Sequence, residues 1–138
     1  MILLDASGLF AAFDADARDH ESARESLLAA PPFRLLSPFI LAELDYLIAT
    51  RLGRAVRSTL LEEVSLGAYR LTPWAADDVA EARAVVMRYA DLGVSLADAS
   101  IVVMAHRYDI QDVLTLDERH FRVLPGPRGP FRLLPADA

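Results

Sequence analysis

Short apolar runs alternate with stretches of helical periodicity from one end of the chain to the other. Ile2–Leu4 and residues 34–37, 68–71, 113–116 and 131–134 read as brief buried strands. Between them, residues 7–13, 20–30, 39–52, 55–66, 75–89 and 96–108 carry apolar positions at helical spacing. Punctuation agrees with this division. Pro31 and Pro32 close the second helix, Pro38 suits the first turn of the third, and Gly53 ends it. Strands that alternate with helices predict an α/β fold: one parallel sheet with helices on both faces. The 138 residues suit a single domain over 1–138. A chain of this size buries roughly two-thirds of its unfolded surface without staples. PGPRGP reads as a loop and the final PADA as a frayed end.

Composition removes several function classes. There is no cysteine, so disulfides, thiol nucleophiles and thiolate zinc sites are excluded. All 14 basic residues are arginine, which excludes Schiff-base and Walker-lysine chemistry. The missing lysine also speaks against a phospho-acceptor receiver domain, a rival with the same strand–helix alternation. Hydrophobic residues make up 54% of the chain, yet no apolar run reaches the ~20 residues of a membrane span. The start MILLDAS has no basic leader, so a soluble cytoplasmic protein with no membrane partner is expected. A net charge of −6 argues against nonspecific nucleic-acid binding. It does not exclude a nucleic-acid enzyme whose acids are neutralised locally by metal.

Four acids fall where the apolar pattern does not place solvated charge. Asp5 ends the first strand, and Asp117 ends VLTLD, a run of the same shape. Open parallel sheets carry their sites at the carboxyl ends of strands, although an aspartate there is also a good helix cap. Glu43 falls within the apolar arc of PFILAELDYLI, beside Ile40 and Leu47, when residues are spaced by about 100°. Asp98 sits in the first turn of LADASIVVMAHRY, a helix apolar almost all round, where the helix dipole also favours an anion. Carboxylates gathered together repel, and a cation keeps them ionised. Oxygen ligands without thiolates select Mg²⁺, with Mn²⁺ as a substitute, and Mg²⁺ commonly takes phosphate as its remaining partner. The chemistry implied is metal-assisted phosphodiester hydrolysis.

DASGLFAAF, PFILAELDYLI, LADASIVVMA and VLTLDERHF resemble, in order and spacing, the PIN-domain ribonucleases, and most of all the VapC toxins of toxin–antitoxin pairs. The resemblance implies a three-layer α/β/α sandwich with a central parallel sheet. It implies a Mg²⁺-dependent endoribonuclease toxin that leaves a 5′-phosphate and a 3′-hydroxyl. The family's catalytic acids fall on Asp5, Glu43, Asp98 and Asp117. Asp5, Asp98 and Asp117 would hold metal, while Glu43 would hold metal or orient the attacking water. Ser7 and Thr115 would support the site. Arg119, His120 and Arg122 follow Asp117 closely, where they would grip RNA phosphates or serve as ordinary surface. Family members cut tRNA or the sarcin–ricin loop, and LDYLIATR is most similar to those acting on the loop. The resemblance also implies a VapB-type antitoxin and a toxin homodimer. A catalytically inactive PIN fold serving as a binding module is the alternative.

Overall fold

The computed structural model describes all 138 residues. Strand β1 (Ile2–Leu4) leads to α1 (Ala6–Phe13) and α2 (His20–Ala29), then β2 (Arg34–Leu36), α3 (Pro38–Arg51) and α4 (Arg54–Ser65). The edge strand β3 (Arg70–Leu71) precedes α5 (Ala76–Arg88), a single 3₁₀ turn at Ala90–Leu92, and α6 (Leu96–Tyr108). Next come β4 (Asp112–Leu114), α7 (Glu118–Phe121), the two-residue strands β5 (Pro125–Gly126) and β6 (Gly129–Pro130), and β7 (Arg132–Leu134).

Five strands form one parallel sheet in the order β3-β2-β1-β4-β7. The chain winds from β1 outward to β3, then crosses back to lay β4 on the other side of β1. The winding direction therefore reverses between β1 and β4. A sheet of this kind opens its binding crevice at such a reversal, beyond the carboxyl ends of the strands. Helices flank the sheet as expected. α1 packs on α2 and α3, α3 on α4, and α5 on α6, which lies against β1 and α3. Residues 99–105 of α6 are buried without interruption, so this helix runs through the core rather than over it.

Several boundaries differ from the sequence expectation. β4 stops at Leu114 rather than at residue 116. Hydroxyls take over where the ladder would continue: Leu116 N–H donates to Ser7 Oγ at 3.0 Å and Asp117 N–H to Thr115 Oγ1 at 2.9 Å. PGPRGP is not a plain loop but a small antiparallel hairpin, with Gly129 at φ +101° opening its second strand. The terminal PADA is not frayed. The Asp137 carboxylate accepts from Leu133 N–H at 2.8 Å and pairs with Arg122, which anchors the end of the chain.

Gly8 sets how closely α1 approaches the sheet. A Cβ there would lie 2.6 Å from the Leu114 carbonyl oxygen. Gly8→Ala adds about 1 kcal/mol of helix propensity and incurs overpacking of roughly 1–3 kcal/mol. The obstructing atom is backbone and cannot swing aside, so the clash wins. A net loss of about 1–2 kcal/mol is expected, read as a lower urea midpoint at unchanged m-value. An unchanged midpoint would show that α1 can slide away from β4.

Candidate active site

The strand register brings the first site residues together. Leu4 pairs with Leu114, so the next residue on each strand, Asp5 and Thr115, emerges at the same level. Asp5 N–H donates to the Leu114 carbonyl at 3.0 Å, fixing the level. Thr115 Oγ1 then donates to Asp5 Oδ2 at 2.6 Å, and Ser7 Oγ donates to the same oxygen at 2.8 Å. The two hydroxyl oxygens lie 3.2 Å apart, both hydrogens being directed at the carboxylate. Ser7 and Thr115 thus hold the Asp5 carboxylate from two sides.

Asp5 is only 5% exposed and has no arginine partner. Burial pushes its carboxyl up to about 6 and the nearby Asp98 charge adds to the rise, while hydrogen bonds from Thr115 and Ser7 oppose it. Asp5 occupies the N-cap position of α1, yet its side chain makes no cap hydrogen bond. Capping alone does not account for it.

Asp98 does two things at once. With Ser95 it forms a reciprocal cap of α6: Asp98 N–H donates to Ser95 Oγ at 3.0 Å, and Ser95 N–H donates to Asp98 Oδ2 at 3.3 Å. The same Oδ2 lies 3.1 Å from His120 Nδ1. Asp117 caps α7 by accepting from His120 N–H at 3.0 Å, and its Oδ2 lies 2.9 Å from His120 Nδ1. Asp98, Asp117 and His120 each offer a ligand atom within 4.8 Å of the others. That trio differs from the expected metal set of Asp5, Asp98 and Asp117. Asp5 stands beside it, within Coulomb reach of Asp98.

Glu43 is not on the buried face of α3. The buried stripe is the narrow line Ile40, Leu44 and Ile48, with Leu41 and Leu47 only half-covered. Glu43 lies about 100° from the centre of that stripe and is exposed. Asp45 lies at the same angle on the other flank and pairs with Arg57 of α4 at 2.6 Å. Glu43 has no such partner and faces Asp98. Partial burial and the Asp98 charge raise its carboxyl above the usual range. It sits at the mouth of the site, not in the core.

Residues 2–126 match the PIN domain family. Over 135 residues the chain is 38% identical to Ribonuclease VapC26 of Mycobacterium tuberculosis, spanning 97% of this chain and 100% of that protein. This chain is a PIN domain of the VapC family. The PIN fold also matches the crystal structure of M. tuberculosis VapC20, described as a sarcin–ricin loop cleaving toxin. That match has a TM-score of 0.77 at 23% identity over 85% of this chain and 90% of the other. FitAcB from Neisseria gonorrhoeae matches with a TM-score of 0.58 at 22% identity, over 86% and 88% of the two chains. At these identities the two structures speak for the fold. In this PIN domain no helix is long and apolar enough to cross a membrane.

The basic residues after Asp117 divide three ways in the PIN domain. Arg119 is exposed and carries no ion pair. Arg122, expected to grip phosphate, is engaged instead by Glu118 at 2.7 Å and by Asp137 through two bonds at 2.8 and 2.7 Å. His120, also expected to reach for RNA, turns inward between Asp98 and Asp117. The short helix α7 accounts for both corrections. It places residue 120 one turn after the Asp117 cap and sends Arg122 toward the chain terminus. Sequence reasoning missed Ser95 and Ser100. Ser95 was legible, since S-x-x-D ahead of an apolar run is a cap signature. Ser100 was not; it ties α6 to the Ser37 cap of α3 by a buried 2.8 Å bond across 63 residues of sequence.

Proposed function

We propose that this PIN domain is the toxin endoribonuclease of a toxin–antitoxin pair, and that it hydrolyses phosphodiester bonds in structured RNA with a divalent metal ion. The observation that carries the reading is the acid set itself. Asp5, Glu43, Asp98 and Asp117 gather at the reversal of the sheet, and none of them is paired with a guanidinium. Unpaired partly buried carboxylates are costly without a cation. Identity of 38% over nearly the full length of a protein named as a ribonuclease supports the same reaction class.

The four acids fit a hard divalent ion, offering carboxylate oxygens in a chain with no thiolate. Asp5, Asp98 and Asp117 are the residues that would hold it. A bound ion supplies Lewis-acid stabilisation of charge on the phosphate and activation of a water nucleophile. The protein supplies the rest. Ser7 and Thr115 fix the orientation of Asp5, and the Ser95 cap fixes Asp98. Glu43, exposed and with raised proton affinity, orients the attacking water and accepts its proton. Attack at phosphorus breaks the bond to the 3′ oxygen, which takes a proton from solvent, leaving a 5′-phosphate and a 3′-hydroxyl. Arg119, free of acid partners, is the remaining local phosphate contact.

Mg²⁺ is the ion of this reading, with Mn²⁺ able to replace it. EDTA is expected to stop RNA cleavage, and Mg²⁺ or Mn²⁺ to restore it. Rescue by zinc alone would overturn the oxygen-ligand argument. The substrate belongs to the tRNA or sarcin–ricin class, and mapping new 5′ ends in cellular RNA after brief expression identifies which. The same reading includes a VapB-type antitoxin covering the site and pairing of the toxin with a second copy. Tyr46 and Leu61, exposed on the α3–α4 hairpin, are apolar positions open to such partners. Co-purification with the antitoxin and light scattering of the free toxin test these two points.

A further inference from the structure

The orientation of His120 implies more than its neighbourhood. Its Nε2 lies 3.1 Å from the carbonyl oxygen of Leu92. A carbonyl only accepts, so Nε2 carries the hydrogen. In the neutral ring, Nδ1 then presents a lone pair. That lone pair faces Asp117 Oδ2 at 2.9 Å and Asp98 Oδ2 at 3.1 Å. Ionised carboxylates are also acceptors only. The three atoms converge on one position, and either a proton on Nδ1 or a metal ion placed between them satisfies both carboxylates. These separations are those of neighbouring ligand atoms around an ion with bonds of about 2.1 Å.

The other side of the ring fits the same picture. A histidine that ligates metal through one nitrogen characteristically donates the other N–H to a backbone carbonyl or carboxylate. Leu92 supplies that carbonyl from the 3₁₀ turn just before α6. The ring is held from below as well, because its own backbone N–H is the donor in the Asp117 cap. Its side chain is 17% exposed, against 13% for Asp98 and 32% for Asp117. An RNA-gripping side chain would instead point outward.

We infer that His120 is a direct ligand of the catalytic metal through Nδ1, completing a mixed nitrogen–oxygen set with Asp98 and Asp117. This inference rests on the metal-dependent reading above and goes beyond its acid-only ligand set. An imidazole ligand suits Mn²⁺ better than Mg²⁺. The site therefore favours Mn²⁺ more strongly than four carboxylates would.

Pulsed EPR of the Mn²⁺-loaded full-length protein tests this without any RNA. A directly coordinated ¹⁴N coupling is expected in the wild type and in a variant carrying His20→Gln and His106→Gln. It is expected to vanish in His120→Gln, with Mn²⁺ affinity falling roughly tenfold or more and Mg²⁺ affinity falling less. Bound Mn²⁺ with no directly coordinated nitrogen in the wild type would overturn the inference, and that measurement needs no variant to fold. Failure of the wild type to bind Mn²⁺ at all would overturn both this inference and the metal reading. A nitrogen coupling in a protein that does not cut RNA would leave His120 as a ligand and refute the nuclease instead.

Discussion

Asp98→Asn is expected to fold like the wild type and to cut RNA at least about a hundredfold more slowly, the scale of losing one electrostatic group from a preorganised site. Asp98 is chosen because it is the hub. Its charge is felt by both Asp5 and Glu43, and its Oδ2 meets His120. No other acid in the cluster reaches all of these. The substitution is also gentle on the fold. An asparagine side-chain oxygen can still accept from Ser95 N–H, and Asp98 N–H still donates to Ser95 Oγ, so the α6 cap survives. Single-turnover cleavage, paired with thermal melting of the same preparation, separates chemistry from folding. Growth inhibition on expression should disappear in parallel. Equal cleavage by wild type and variant would mean that the activity comes from elsewhere in the preparation. Loss of cleavage together with a collapsed melting curve would mean that the α6 cap, not the site, had been tested.

Strand–helix alternation was legible because buried parallel strands and amphipathic helices write different periods into the sequence. The acids at strand ends were legible for a related reason: Asp5 interrupts an apolar run at the one place where a parallel sheet opens. Glu43 shows where this logic fails. Placing it on the buried arc assumed that every apolar residue of α3 was core, whereas Phe39, Leu41 and Leu47 are only half-covered. The covered stripe of a helix depends on which neighbours pack against it, and α3 meets three of them, α1, α4 and α6. Near the C-terminus the obstacle was hydrogen bonding. ERHF is too short for a periodic signal, yet Asp117 caps it into a turn that redirects His120 and Arg122. Such short capped turns are decided by two or three side-chain bonds, which carry no spacing to read.

Asp5→Asn is expected to stabilise the metal-free protein at neutral pH while abolishing cleavage. The sign follows from its burial. The Asp5 carboxyl is held at about 6 in the folded protein against an ordinary 3.8. Between these values the folded chain binds the proton and the unfolded chain does not, so stability falls as pH rises through about 4 to 6. Two units correspond to about 3 kcal/mol of stability, present below about pH 4 and lost above about pH 6. Asparagine accepts the Ser7 and Thr115 hydroxyls without carrying a charge, so its stability should not follow that slope. In EDTA, the two proteins should match near pH 4 and diverge toward pH 7, with the variant ahead by up to about 3 kcal/mol. Exposed acids such as Asp137, whose carboxyl is lowered by Arg122, act below that window and in the opposite direction. They are common to both proteins and cancel in the difference. Added Mg²⁺ should close the gap by restoring the wild type alone, because only the charged carboxylate gains from the ion. Parallel stability curves from pH 4 to 7 would show that the Asp5 charge is already compensated without metal, and the argument for a cation at the sheet reversal would lose its strongest support.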